Sequence, residues 1–305
     1  MLRRLALASV VLLSAAASCI PDDDAPRLGS VAFTFGASRL TTAGFSARTM
    51  ADGWTLTVTR VLLSYDSVTV SETTDGDASI PGLVISDRKC AYRGRGARRH
   101  VVFDPRFGNL QTLNGMEPGE CPDVGFVLEA PGVDTEPGLG ATGADVAELA
   151  ADPPAVALFE ARASRRGKSV AVKLRFDRAR SPSAFTACQV ATGVGLSRGV
   201  VVRAGERQQL SFQFLAESLF RDDIGGAFLR FDPWERADVS FGDGDGVVTM
   251  ADLDAVPLTA VRGGPYTLAS GSRRGTFGDF VRQQLGYAFG YLDTGFCSPS
   301  ASASR

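Results

Sequence analysis

The chain has 305 residues with 44% hydrophobic side chains, enough apolar surface to close one large core, and a formal charge of −2. That balance argues against nucleic acid as a partner, because nucleic acid selects a basic face. Lysine occurs only at Lys89, Lys168 and Lys173. We read this arginine excess as a base-composition effect, not as a binding surface.

The first element is a leader. Met1-Leu2-Arg3-Arg4 is followed by an apolar run from Leu5 to about Leu13, then Ser14-Ala15-Ala16-Ala17-Ser18-Cys19. A basic start, a short apolar core and a small-residue exit predict a secretory signal over residues 1–18. A bilayer span needs about 20 apolar residues, more than this run supplies. The exit resembles a bacterial lipobox, with Ala16 where Leu is usual, so Cys19 is expected to carry lipid and to become the mature N-terminus. Cleavage after Ala15-Ala16-Ala17, with Cys19 left as a thiol, is the alternative. Ile20 follows instead of the Asp that often retains such proteins in the inner membrane, which points to the outer membrane. Removing Arg3 and Arg4 with the leader takes the formal charge to −4.

Residues 19–29 then form a short tether, and residues 30–297 one domain. Alternation with β-branched residues predicts strands at Val31–Phe35 and along Trp54–Val70. Thr73–Asp77 reads as a turn, with further strands at Leu83–Ser86, His100–Phe103 and Val124–Glu129. Residues 131–143 are loop, and Ala144–Ala151 forms a short helix that Pro153-Pro154 stops. Two hairpins are expected, one joining Val156–Ala163 to Val170–Phe176, the other joining Val200–Val202 to Gln209–Phe214. Glu217–Asp222 reads as a helix. Thr276–Leu292 reads as the best helix, with Thr276 and Asp279 forming a capping box. Residues 298–305 are a Ser/Ala tail. The fold class is mainly β: an antiparallel β-sandwich with a short helical C-terminal appendage.

Five cysteines are present, and reserving Cys19 for lipid leaves Cys90, Cys121, Cys188 and Cys297. In an oxidising compartment four cysteines predict two disulfides, with three possible pairings. Cys90–Cys121 and Cys188–Cys297 are preferred.

The strongest chemical motif is Asp243-Gly244-Asp245-Gly246-Val247-Val248-Thr249-Met250-Ala251-Asp252. It resembles the back part of an EF-hand or dockerin calcium loop. The resemblance makes Asp243, Asp245, the Val247 carbonyl, Thr249 and Asp252 candidate calcium ligands around the turn glycine Gly246. Phe241 stands where the first carboxylate belongs, so a water or a neighbour such as Asp238 must fill that place. An acidic turn running into a helix capped by Thr249 is the plainer reading.

Other chemistries find little support. His100 is the only histidine, and Gly195-Leu196-Ser197-Arg198-Gly199 has elbow spacing but precedes a strand, with no histidine after it. Asp222-Asp223 and Asp232 with Glu235 read as solvated or capping acids, and Trp54 and Trp234 as packing residues. The stretches 51–65, 113–115, 123–126 and 219–220 resemble a group of uncharacterised bacterial surface lipoproteins, which are distantly similar to the MbnP-like copper-associated periplasmic β-sandwiches. The resemblance implies an envelope lipoprotein. Copper would need soft or imidazole ligands, and His100, Met116 and Met250 are scattered. The expected function is a non-enzymatic, lipid-anchored binding or scaffolding protein whose partner is the membrane through its lipid. The alternative is a metal-handling lipoprotein, with calcium ahead of copper.

Overall fold

Alternating Val31, Phe33 and Phe35 bury one face of strand β1 (Gly29–Ala37), and Ser38 then caps helix α1 (Arg39–Ala43). Strand β2 (Thr55–Ser71) follows, 17 residues long. It can stay extended for that length because two register shifts let it pair with different partners along its course. The computed structural model that shows this describes residues 27–71, 100–192, 195–292 and 294–300. Cys19, Cys90, the turn at 73–77, the strand expected at 83–86 and residues 301–305 lie outside them.

Next come β3 (Val101–Phe103), β4 (Asn109–Met116), β5 (Gly119–Cys121), β6 (Asp123–Leu128) and β7 (Glu136–Pro137). Helix α2 (Gly143–Ala150) explains a break in the alternation of β2. Val61 and Leu63 face the main core, whereas Leu62 faces a smaller one with Val102, Leu149, Ala155 and Leu158 beneath this helix. Arg60 on β2 ties the helix down through Asp145 and Glu148.

Strands β8 (Ala155–Arg165) and β9 (Lys168–Asp177) make the first expected hairpin, closed by Arg166-Gly167 with φ of 50° and 81°. Positive φ at both turn residues matches the twist of the flanking strands. Then come β10 (Ala184–Thr192), β11 (Gly195–Arg198), β12 (Val200–Val202) and β13 (Arg207–Phe214). The second expected hairpin does not form. β12 pairs with β5 in a separate two-stranded sheet, while β13 lies parallel to β1. Strands distant in sequence outcompete the local turn, and both of those pairings bury apolar side chains, Val200 and Val202 in one and Leu210, Phe212 and Phe214 in the other.

The C-terminal third holds α3 (Ala216–Leu219), α4 (Asp232–Arg236) with a π turn over Ala237–Phe241, β14 (Val247–Thr249), α5 (Met250–Ala255), a 3-10 turn at Leu258–Ala260, α6 (Phe277–Gly286), β15 (Phe289–Tyr291) and β16 (Gly295–Ser300). Thr276 and Asp279 cap α6 as the sequence predicts. The helix stops at Gly286, short of Leu292, because Phe289–Tyr291 is taken up as a strand against β13. The final strand likewise runs to Ser300, pairing Ser298, Pro299 and Ser300 with Thr186, Phe185 and Ala184 in place of the expected tail.

The fold is mainly β. One large sheet runs in the order β14-β9-β8-β2-β6-β10-β16-β15-β13-β1-β4, with β3, β7 and β11 attached at its side. It is mixed and not wholly antiparallel, since β1–β13, β9–β14 and β3–β7 are parallel. The sheet bends back on itself, so that aromatic side chains of β1, β6, β10, β13 and β15 fill one interior. Cys188 on β10 and Cys297 on β16, both fully buried, form the expected disulfide across 109 residues. Cys121 is also disulfide-bonded.

Candidate functional site

Two features meet around α5, an acidic loop before it and a cleft beside it. In the loop, the π turn ends as the Gly242 N–H donates to the carbonyls of Ala237 and Asp238 at 2.7 and 3.1 Å. Gly244 and Gly246 then take φ of 72° and 83°, which β-branched or bulky residues resist, and fold the chain back on itself. The Asp243 carboxylate accepts the Asp245 N–H at 3.2 Å, and Asp245 accepts the Val247 N–H at 2.7 Å. Both side chains stay exposed, beside the buried Asp238. Carboxylate oxygens of Asp238, Asp243 and Asp245 lie within 4.8 Å of one another.

The remaining expected ligands have other work. Val247 enters β14, which runs parallel to β9 in register with Ala171. Thr249 and Asp252 form the capping box of α5, with Asp252 Oδ2 accepting from the Thr249 backbone N–H at 2.8 Å and from its hydroxyl at 2.6 Å. Gly242 leaves room for this, because a Cβ there would collide with Asp252 Oδ1. Phe241 is 43% exposed and contributes no carboxylate. Its place in the cluster is filled from three residues upstream by Asp238.

The cleft, about 660 Å³, opens between β9, α5 and α6. Such a volume suits a small organic ligand. Lys173, Arg175, Arg180, Asp254 and Arg282 line it, along with Met250. Arg282 is 4% exposed in its side chain and grips Asp254 with two hydrogen bonds of 2.6 and 2.8 Å. Burial opposes ionisation of Asp254, but the hydrogen bonds from Arg282 and Arg180 outweigh it and hold the carboxyl below its ordinary range. Lys173 is paired with Glu148 at 2.7 Å, which raises its ammonium above the usual range.

Arg175 differs from these neighbours. Its Nη2 donates to the carbonyls of Glu148, Ala151 and Pro153, capping the C-terminus of α2. It makes no ion pair among the described residues, and its Nη1 makes no hydrogen bond there. Sequence reading missed this cleft, because its residues come from separate stretches and carry no motif; only the structure brings them together.

The other residues singled out in the sequence serve the fold. His100 Nε2 lies 2.9 Å from Ser64 Oγ and 3.1 Å from the Glu129 carbonyl. Ser64 is fully buried in β2, out of reach of any substrate. Ser197 stands exposed on β11, which pairs antiparallel with β10. The glycine after it, Gly199, has φ of 66° and no room for a Cβ against the Cys121 carbonyl, so the Gly-x-Ser-x-Gly spacing encodes a tight strand crossing. Asp222 pairs with Arg230, Asp232 with Arg165, and Glu235 with Lys168. Trp54 and Trp234 are buried, as the packing reading requires. Among the described residues no helix is long and apolar enough to cross a membrane. Comparison with known proteins found no matching family model, no matching curated protein and no matching solved structure.

Proposed function

We propose that this chain is an exported, lipid-anchored binding protein of the cell envelope, without catalytic activity, whose cleft takes a small ligand bearing a carboxylate or phosphate group. The observation that carries the reading is Arg175, a guanidinium on the cleft wall with no carboxylate partner among the described residues. An anion entering the cleft would meet that charge and be fixed by its planar donors. The anchor rests on the small-residue exit into Cys19. Two acyl chains on that cysteine, with a third on its amine, would hold the protein far better than one chain alone. A non-enzymatic role is favoured because the sole histidine sits between a buried serine and a backbone carbonyl, with no acid among the described residues bonded to it.

Two measurements test the reading. Cys19→Ser should move the protein from the membrane to the soluble envelope fraction, and a mature N-terminus upstream of Cys19 without acyl mass would refute the anchor. Inorganic phosphate or succinate should raise the melting temperature of the wild type in proportion to the logarithm of its concentration, and Arg175→Ala should lose that response. A wild type unmoved by either anion at tens of millimolar would refute the cleft. The metal-handling alternative attaches to the acidic loop. There the clustered donors are all carboxylate oxygens, which suit a hard cation and not copper.

A further inference from the structure

Asp238 is 1% exposed, yet its Oδ1 has no hydrogen-bond partner among the described residues. Its other oxygen accepts the Gly246 N–H at 3.2 Å. A buried carboxylate with an unmade bond costs free energy, and here like charges add to the cost. None of Asp238, Asp243 and Asp245 forms an ion pair among the described residues. A protein that only needed a turn here would be served by asparagine at 238. The arrangement makes sense if something positive completes it.

We infer that Asp238, Asp243 and Asp245 bind one divalent cation, with calcium as the fitting ion, and that Asp238 supplies the carboxylate that Phe241 cannot. The inference goes beyond the cleft reading and uses none of its residues. Three carboxylates from one turn of chain match the oxygen-rich, geometrically tolerant shell of calcium, completed by water or backbone carbonyls. Magnesium keeps most of its water and is usually held by one or two carboxylates. The π turn is the enabling device. It carries Asp238 inward from helix α4, whereas a regular turn would have advanced the chain differently, and such irregular turns are often kept at functional sites. A bound cation would fasten the end of α4 to the loop that starts β14, and so to the edge of the large sheet at β9. With only three carboxylates, affinity should fall in the weak extracellular range, with Kd about 10⁻⁴–10⁻³ M.

The test uses the full chain in detergent, stripped with chelator and melted by circular dichroism with rising calcium chloride, then with magnesium chloride. Calcium should raise the melting temperature as the logarithm of its concentration above Kd, and magnesium should raise it less. Asp245→Ala and Asp238→Asn should both abolish the rise. Asp238→Asn should also melt at or above the wild type without calcium, because it removes a buried charge, so its lost response cannot be laid to misfolding. Equilibrium dialysis with elemental analysis should find one calcium per wild-type chain and none in Asp238→Asn. A wild type unmoved by millimolar calcium, an unchanged response in Asp238→Asn, or an equal response to magnesium would each overturn the assignment.

Discussion

The rings of Phe35 on β1 and Tyr65 on β2 meet at 4.9 Å between centroids, although five strands separate β1 from β2 along the sheet. A flat sheet would hold them far apart, since neighbouring strands are about 4.8 Å from one another. The contact therefore marks where the sheet folds over and its two ends become facing layers. Sandwich character here comes from one bent sheet, not from two sheets with separate edges.

Phe126 sits at the centre of that fold. Its ring lies 4.7 Å from Phe185, 5.0 Å from Phe212, 5.0 Å from Phe289 and 5.5 Å from Phe35. Phe126→Ala should lower stability by about 3–5 kcal/mol, and Phe126→Leu by clearly less, because the leucine leaves a smaller cavity. Urea unfolding followed by fluorescence gives both values. A loss under about 1 kcal/mol for the alanine variant would mean that the layers do not depend on this cluster.

The strands that the sequence announces are those with a period of two or a β-branched run. β1, β2, β8 and β9 can be read within a few residues of their ends. Partner choice was not legible. Val200–Val202 and Gln209–Phe214 look like a hairpin locally, and only the competing edges of β5 and β1 show why they part. Helix α6 reads too long in the sequence for a related reason, since Phe289 and Leu292 keep helical spacing while the edge of β13 takes Phe289–Tyr291 as a strand. In the acidic loop the sequence showed Asp243 and Asp245 by their spacing around Gly246. It also offered Thr249 as the cap of the following helix, which the structure bears out, but not Asp252 as the residue that closes the box, nor a π turn that buries Asp238. The cleft had no sequence signal.

Cys188 and Cys297 join β10 to β16 across 109 residues. The chain-entropy argument puts such a long loop at about 4–5 kcal/mol, with measured bridges of this kind typically giving less. Replacing both cysteines by serine should lower the urea midpoint by the equivalent of about 2–4 kcal/mol without changing the fold. Peptide mapping without reductant should recover the Cys188–Cys297 pair and join Cys121 to Cys90. Free thiol at either Cys188 or Cys297 in the native protein would contradict the bridge.

Ser197 and Gly199 separate a turn from a nucleophile. Gly199→Ala puts a Cβ into the Cys121 carbonyl at a positive φ, so it should destabilise by about 1–3 kcal/mol. Ser197 is exposed on β11 and should tolerate alanine within about 0.5 kcal/mol. Neither change should alter phosphate or succinate binding at the cleft. Labelling of Ser197 by a fluorophosphonate probe would overturn the turn reading.

Arg282 and Asp254 give stability a direction in pH. Burial opposes the charge on Asp254, but hydrogen bonds from Arg282 and then Arg180 prevail, so its folded pKa lies below its unfolded one. Asp279 and Glu148 are depressed in the same way, Asp279 by Thr276 and Arg180, Glu148 by Lys173 and Arg60, each against the opposing effect of burial. A carboxylate with a depressed folded pKa contributes stability that is fully present above its unfolded value, near pH 4, and that is lost as pH falls through the folded value. Asp254→Asn removes the doubly bonded counter-charge and leaves the nearly enclosed Arg282 with only its longer contacts to Asp177 and Asp279, at 3.5 and 3.8 Å, which at pH 7 should cost on the order of 2 kcal/mol. As pH falls through the folded value the wild-type carboxyl itself becomes protonated, so the two proteins should converge. The melting-temperature gap between wild type and Asp254→Asn should therefore narrow steadily as pH falls below about 4. A gap that stays constant over that window would show that the stability does not come from the ionised pair.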